Sequence, residues 1–248
     1  MSQSPPAHDR DAPAGSAART PPRPAPPPGA WRSRGALVVF LLVASVLLAV
    51  DLASKRLSFE RVAGVPVSTE REPDGTLAPV PPHEGITVVP SLLELRLTWN
   101  HGAVFGIGQG RRTVFVGFSV VAVVVIATLF ARSRPHERLL HLSLASVLAG
   151  ALGNMYDRVV FGAVRDMLHL FPGVPLPFGL AWPDGSRGLY PWIFNVADVC
   201  LVLGLLVLLV LAWRADTATA ATRRPAPAGS PGAGTRADDA PPSTGTDA

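Results

Sequence analysis

Leu139-Leu-His-Leu-Ser-Leu-Ala-Ser-Val-Leu-Ala-Gly-Ala-Leu-Gly-Asn-Met-Tyr-Asp157 is an apolar run that ends on a carboxylate. At 1.5 Å per residue its 19 residues reach about 28 Å as a helix, close to the ~30 Å hydrocarbon core of a bilayer. A carboxylate at that depth costs roughly 2.5–3.5 kcal/mol on insertion scales, so one that is retained marks function. Three more runs have the same character: Gly35 to about Leu57, Val114 to Ala131, and Ile193 to Trp213. Four membrane helices, 35–57, 114–131, 139–157 and 193–213, are therefore expected, with both termini on one side.

The flanks differ in kind. Residues 1–34 and 215–248 are rich in Pro, Ala, Ser, Thr and Gly, as in Pro21-Pro22-Arg23-Pro24-Ala25-Pro26-Pro27-Pro28, and cannot bury enough apolar surface to offset chain entropy. Both are expected to be disordered tails around a membrane domain at 35–214. The short loop Arg132-Ser133-Arg134-Pro135-His136-Glu137-Arg138 is basic, and Arg32, Arg34, Arg214, Arg223 and Arg224 lie on the same face, which favours cytoplasmic termini. Lys55, Arg56, Arg111 and Arg112 on the other face oppose that bias.

The net charge of +4 sits at span ends and lacks an interleaved aromatic patch, so no nucleic-acid partner is expected. The chain's one cysteine, Cys200, has no partner for an internal disulfide. His83, His101, His136, His141 and His169 are scattered, and no metal or other cofactor is expected.

Between the spans, Leu93-Glu94-Leu95-Arg96-Leu97-Thr98-Trp99 alternates strictly, the period of a half-buried strand, and Ile86-Thr87-Val88-Val89 offers a partner. A small extracytoplasmic β-sheet is expected within about 59–110. Val164, Met167, Leu168 and Phe171 fall at helical spacing and predict a short surface helix before the turn-rich Pro172 to Pro191.

Asp198 lies in Phe194-Asn195-Val196-Ala197-Asp198, at the same outer level as Asp157 if helices three and four are antiparallel. Asn154 and Asn195 each precede an aspartate by three residues, so each amide is expected on its own aspartate's helix face. Two carboxylates sharing a proton can activate water and protonate a leaving group. Asp51 and Lys55 are spaced to pair on one helix face, whereas Ser54 and Lys55 point apart, against a serine–lysine mechanism. Asn100-His101-Gly102 follows the strand, with an amide able to bond a peptide and a glycine that lets a backbone approach. A proton-coupled transporter component, with the aspartates as a relay, is the alternative reading, although no inverted repeat supports it.

Taken together, Asp51-Leu-Ala-Ser-Lys55, Asn100-His-Gly-Ala-Val-Phe-Gly106, Gly153-Asn-Met-Tyr-Asp-Arg158, Val164-Arg-Asp166 and Phe194-Asn-Val-Ala-Asp198 resemble the signal peptidase II family, in family order across roughly 35–214. The resemblance implies an aspartyl endopeptidase of the bacterial inner membrane, and a monomer is expected. Its partners would be membrane lipid and diacylglyceryl-modified prolipoproteins, cut before the modified cysteine. It implies Asp157 and Asp198 as the catalytic pair. Asn100, Gly102, Asn154, Arg158 and Asn195 would hold the substrate backbone or the pair, with Asp51 and Lys55 in support. Departures from the family pattern are Val104, the longer Phe59–Pro90 and Pro172–Pro191 segments, and both tails.

Overall fold

The computed structural model describes residues 29–73, 75–102 and 112–223, so the tails up to 28 and beyond 223, and Ala103 to Gly106, lie outside the described residues. Four helices are long and apolar enough to cross a membrane: α1 (Arg34–Arg61), α2 (Arg112–Arg132), α3 (Arg138–Val160) and α4 (Val196–Arg223). At about 42 Å, the 28-residue α1 exceeds a ~30 Å hydrocarbon core, so its last turns stand clear and carry the sheet. Large apolar side chains such as Leu41, Leu42, Val121, Val124, Leu205 and Leu209 point outward, where a bilayer rather than water is their solvent.

Helix α3 is the hub and packs against the other three. Its small residues make that possible. A side chain on Gly150 would strike the Ala197 carbonyl, one on Gly153 the Asp51 carboxylate, and one on Gly204 of α4 the Val147 side chain. Small residues are how membrane helices approach closely, since lipid offers no hydrophobic drive to pair them. Ser146 adds an interhelical bond, donating to the Cys200 carbonyl at 2.8 Å. Phe40 and Phe130 stack at 4.2 Å between α1 and α2.

The bundle's other end holds a four-stranded antiparallel sheet in the order β1 (Ile86–Val89), β2 (Leu93–Asn100), β3 (Val164–Leu170), β4 (Ile193–Phe194). Phe59 of α1 and Val62, the residue that caps it, join Val67, Leu97 and Met167 in a second core that fixes the sheet to the bundle. The Val62–Gly85 segment straps one face. Arg71 donates to the Phe161 carbonyl, the Trp99 indole to that of Ala78, and the Leu97 N–H to the His83 ring.

Three expectations are corrected. The surface helix at Val164 to Phe171 is strand β3, and half of the sheet expected within 59–110 comes from 164–170 and 193–194. Val164 through Met167 are all buried, because β3 lies between β2 and β4 with both faces covered. A strand buried on both faces loses its two-residue alternation, which leaves an accidental helical spacing to be read. Residues 29–33, expected in the first tail, are packed: Ala30–Arg32 form a 3-10 turn, Ala30 donates to Ser133, and Ser33 caps α1 by accepting from Ala36. The fourth span begins at Val196, with Ile193 and Phe194 used as strand, and α4 continues through 215–223.

Candidate active site

Strand alternation sets the site. Arg165 and Asp166 are adjacent on β3, so their side chains leave opposite faces of the sheet. Arg165 turns to the end of α3, where Nη2 and Nε reach Asp157 Oδ1 at 2.7 and 3.2 Å and the backbone N–H reaches Oδ2 at 3.0 Å. Lys55 Nζ lies 3.4 Å from the same Oδ2. Asp157 is fully buried and both of its oxygens are engaged by cations.

Asp166 turns the other way, into a cavity of about 820 Å³ that it lines together with Asp198, Asn100, Asn154, Arg158 and Tyr190. Register explains the Asn100 contact. Asn100 pairs with Val164 and Thr98 with Asp166, so Asn100 and Asp166 are diagonal neighbours on one face. The Asn100 amide donates to Asp166 Oδ2 at 2.9 Å, while its Oδ1 accepts the Gly102 N–H at 2.9 Å.

Asn195 ties the two carboxylates together. Its amide nitrogen donates to Asp166 Oδ1 at 2.6 Å, and its backbone N–H to Asp198 Oδ2 at 3.2 Å. Asp198 returns the favour by donating its own N–H to Asn195 Oδ1 at 3.1 Å, a reciprocal cap on the first turn of α4. Asp198 thus sits in the first turn of α4, because Ile193 and Phe194 are strand and not the start of the helix. Asn154 faces Asp198 instead of its own helix's Asp157: its nitrogen donates to Asp198 Oδ1 at 2.8 Å, and its oxygen accepts from Lys55 at 3.0 Å and Asn195 at 3.1 Å.

The expected support from Asp51 and Lys55 has a clear geometry. Lys55, with no exposed surface, donates to Asp51 Oδ2 at 2.8 Å, and Asp51 Oδ1 accepts the Ala197 N–H at 2.8 Å, joining α1 to the start of α4. Arg158 spans from the Asn154 carbonyl to that of Gly102, at 2.9 Å from the latter.

Asp157 and Asp198, expected as partners, face different neighbours; Asp166 is the carboxylate that shares the cavity with Asp198. Asp166 and Arg165 stood in a quoted sequence block without a role. The signal was there, a charged doublet flanked by Val164 and Met167, but assigning that stretch to a surface helix concealed it. Burial, and then the Asp198 charge, push the Asp166 carboxyl up to about 7, against the hydrogen bonds from Asn100 and Asn195 and the charge of Lys55. A carboxyl with that poise beside a second one can hold a proton near neutral pH while its neighbour is ionised.

The cavity is open toward the apolar spans. Phe118, Ser119 and Ala122 of α2 and Val199, Val202 and Leu205 of α4 form its walls, so the polar end lies under the sheet and the apolar end between two membrane helices.

Residues 43–214 match the family model described as Signal peptidase (SPase) II. A lipoprotein signal peptidase of Moorella thermoacetica is 33% identical over 172 residues, covering 68% of this chain and 89% of the relative. One from Dichelobacter nodosus is 37% identical over 128 residues, 50% of this chain and 73% of the relative. In fold, the chain is similar to a bacterial membrane enzyme solved by the in meso method at 2.3 Å, with a TM-score of 0.53, 21% identity, and coverage of 76% of this chain and 93% of that one. With the matched segment running from within α1 to α4 and enclosing every residue of the buried carboxylate cluster, this chain belongs to the signal peptidase II family and is a membrane peptidase.

Proposed function

We propose that the chain removes signal peptides from prolipoproteins, cutting before the diacylglyceryl-modified cysteine, with Asp166 and Asp198 as the reacting pair. The observation that carries this is Asn195 bridging the two carboxylates at the polar end of a cavity whose other end opens between α2 and α4. Acyl chains on the modified cysteine would stay among Phe118, Ala122, Val199 and Val202 while the peptide bond meets the carboxylates under the sheet. Both carboxylates come from one chain, which suits a monomer.

Asp198, ionised, takes a proton from water as the water oxygen attacks the scissile carbonyl carbon. Asp166, protonated, donates to the carbonyl oxygen. The tetrahedral diol then collapses, Asp198 passing its proton to the leaving nitrogen as the C–N bond breaks and Asp166 recovering one from the diol. Asn100, Asn154 and Asn195 hold the carboxylates in register. Asp157 is a positioning residue, locking β3 to α3 through Arg165 so that Asp166 faces the cavity.

The basic loop at 132–138 and the 3-10 turn at Ala30–Arg32 share one end of the bundle, which supports a cytoplasmic location for that end and a site near the outer face.

The test is cleavage of a diacylglyceryl-modified prolipoprotein by purified protein in detergent. Asp166→Asn and Asp198→Asn should each fold and lose turnover by several orders of magnitude. Asp157→Asn should lower the melting temperature, because removing one partner of a buried pair costs about 3–5 kcal/mol. Full activity in folded Asp166→Asn would sink the assignment.

A further inference from the structure

One polar group that lines the cavity stands outside the carboxylate network. Tyr190 lines the cavity beside Asp166 and Asp198, on the segment that leads into β4. Its ring is fixed by edge contacts with Trp192 at 5.2 Å and Phe194 at 5.9 Å between centroids. Trp192 in turn packs on Trp182 at 4.6 Å, and the Trp182 indole donates to the Gly188 carbonyl. The phenol is therefore placed by a rigid aromatic wall, yet among the described residues its hydroxyl makes no hydrogen bond.

A hydroxyl on the wall of an open cavity, with its ring held and no protein partner among the described residues, is free to bond a ligand that enters there. Its surroundings favour a donor role: burial first, then the charges of Asp198 and Asp166, hold the phenol above its usual range and so protonated at working pH. Both carboxylates are already served by asparagine amides.

We infer that Tyr190 is a further catalytic residue, donating a hydrogen bond from its hydroxyl to the substrate carbonyl oxygen, which carries partial negative charge in the transition state of water attack before Asp166 has delivered its proton. This rests on the Asp166–Asp198 reading above. A donor aimed at the oxygen of a tetrahedral intermediate acts on kcat more than on binding, because the bond strengthens only as charge develops.

The experiment is Tyr190→Phe, in the full chain in detergent with diacylglyceryl-modified prolipoprotein, beside wild type and Asp198→Asn. The phenylalanine keeps the ring contacts, so melting temperature and KM should stay near wild type while kcat falls roughly 10²-fold. A second variant, Tyr190→Ala, separates ring from hydroxyl by also raising KM. Wild-type kcat in Tyr190→Phe, or a loss confined to KM, would overturn the role of the hydroxyl. If wild type cuts and Asp198→Asn does not, that result removes Tyr190 alone; a wild type that does not cut overturns the cavity assignment and Tyr190 with it.

Discussion

Asp157 and Asp166 are both almost wholly buried, and their partners separate their roles. Asp157 meets two cations, Arg165 and Lys55; Asp166 meets two amides and a second carboxylate. Both oxygens of Asp157 are thus taken up in tying α1, α3 and β3 together, whereas Asp166 faces the cavity beside a second carboxylate. Asp166, raised from 3.8 to about 7, keeps its proton in the folded chain across a window where the unfolded chain has lost it. Stability from this group is therefore fully present below about 4, falls as pH rises through the window and levels off above about 7. Some three pH units at 1.36 kcal/mol each make the effect about 4 kcal/mol. Asp166→Asn cannot ionise and should flatten that slope, which thermal unfolding in detergent between pH 4 and 8 will read. In the wild type, turnover should decline on the alkaline side with a midpoint near 7. A slope identical in the two proteins would assign the proton to another group.

At the scale of elements, the four spans and β1–β2 were legible because each presents its own period: continuous apolar runs of about 20 residues, and strict alternation in Leu93 to Trp99. Strand β3 was not, because tertiary burial on both faces erased its alternation. A helix at 164–171 would put Asp166 on a surface; as a strand it faces the cavity beside Asp198. Asn100, Asn154, Asn195 and Asp198 were legible since each belongs to a short polar cluster at the edge of an apolar element, though Asn154's reach across to α4 depends on helix contact and not on spacing. That contact rests on Gly153, whose missing side chain leaves room for the Asp51 carboxylate between α1, α3 and α4. Gly153→Ala should force α1 away from α3, lowering stability by about 1–3 kcal/mol, the usual range for overpacking, and reducing turnover with it. Parallel melting and cleavage measurements check this; an alanine variant with wild-type values in both would mean that the helices relax without displacing Asp51.

For the whole molecule, the two ends differ in more than charge. One end is compact, with the Ala30–Arg32 turn seated on the α2–α3 loop through Ser133, and it carries Arg32, Arg34, Arg132, Arg134 and Arg138. The other carries the sheet, the 62–85 strap and the 171–192 segment, all too polar and irregular in backbone to lie in hydrocarbon. Lys55 tempers the positive bias of that second end less than its sequence position suggests, because it is neutralised inside the protein by Asp51 and Asp157. Arg165 likewise answers to Asp157. With those charges discounted, Arg56 and Arg112 still oppose the larger basic group at the loop end, and that balance favours the loop end as cytoplasmic, a reading that labelling tests. Cys200 is buried and makes a quiet background for labelling. A cysteine placed at the exposed Thr69 should react with a membrane-impermeant maleimide on intact spheroplasts, and one at the exposed His136 only after permeabilisation. The reverse pattern would turn the molecule over, put the carboxylate pair on the cytoplasmic side, and remove its access to substrates delivered across the membrane.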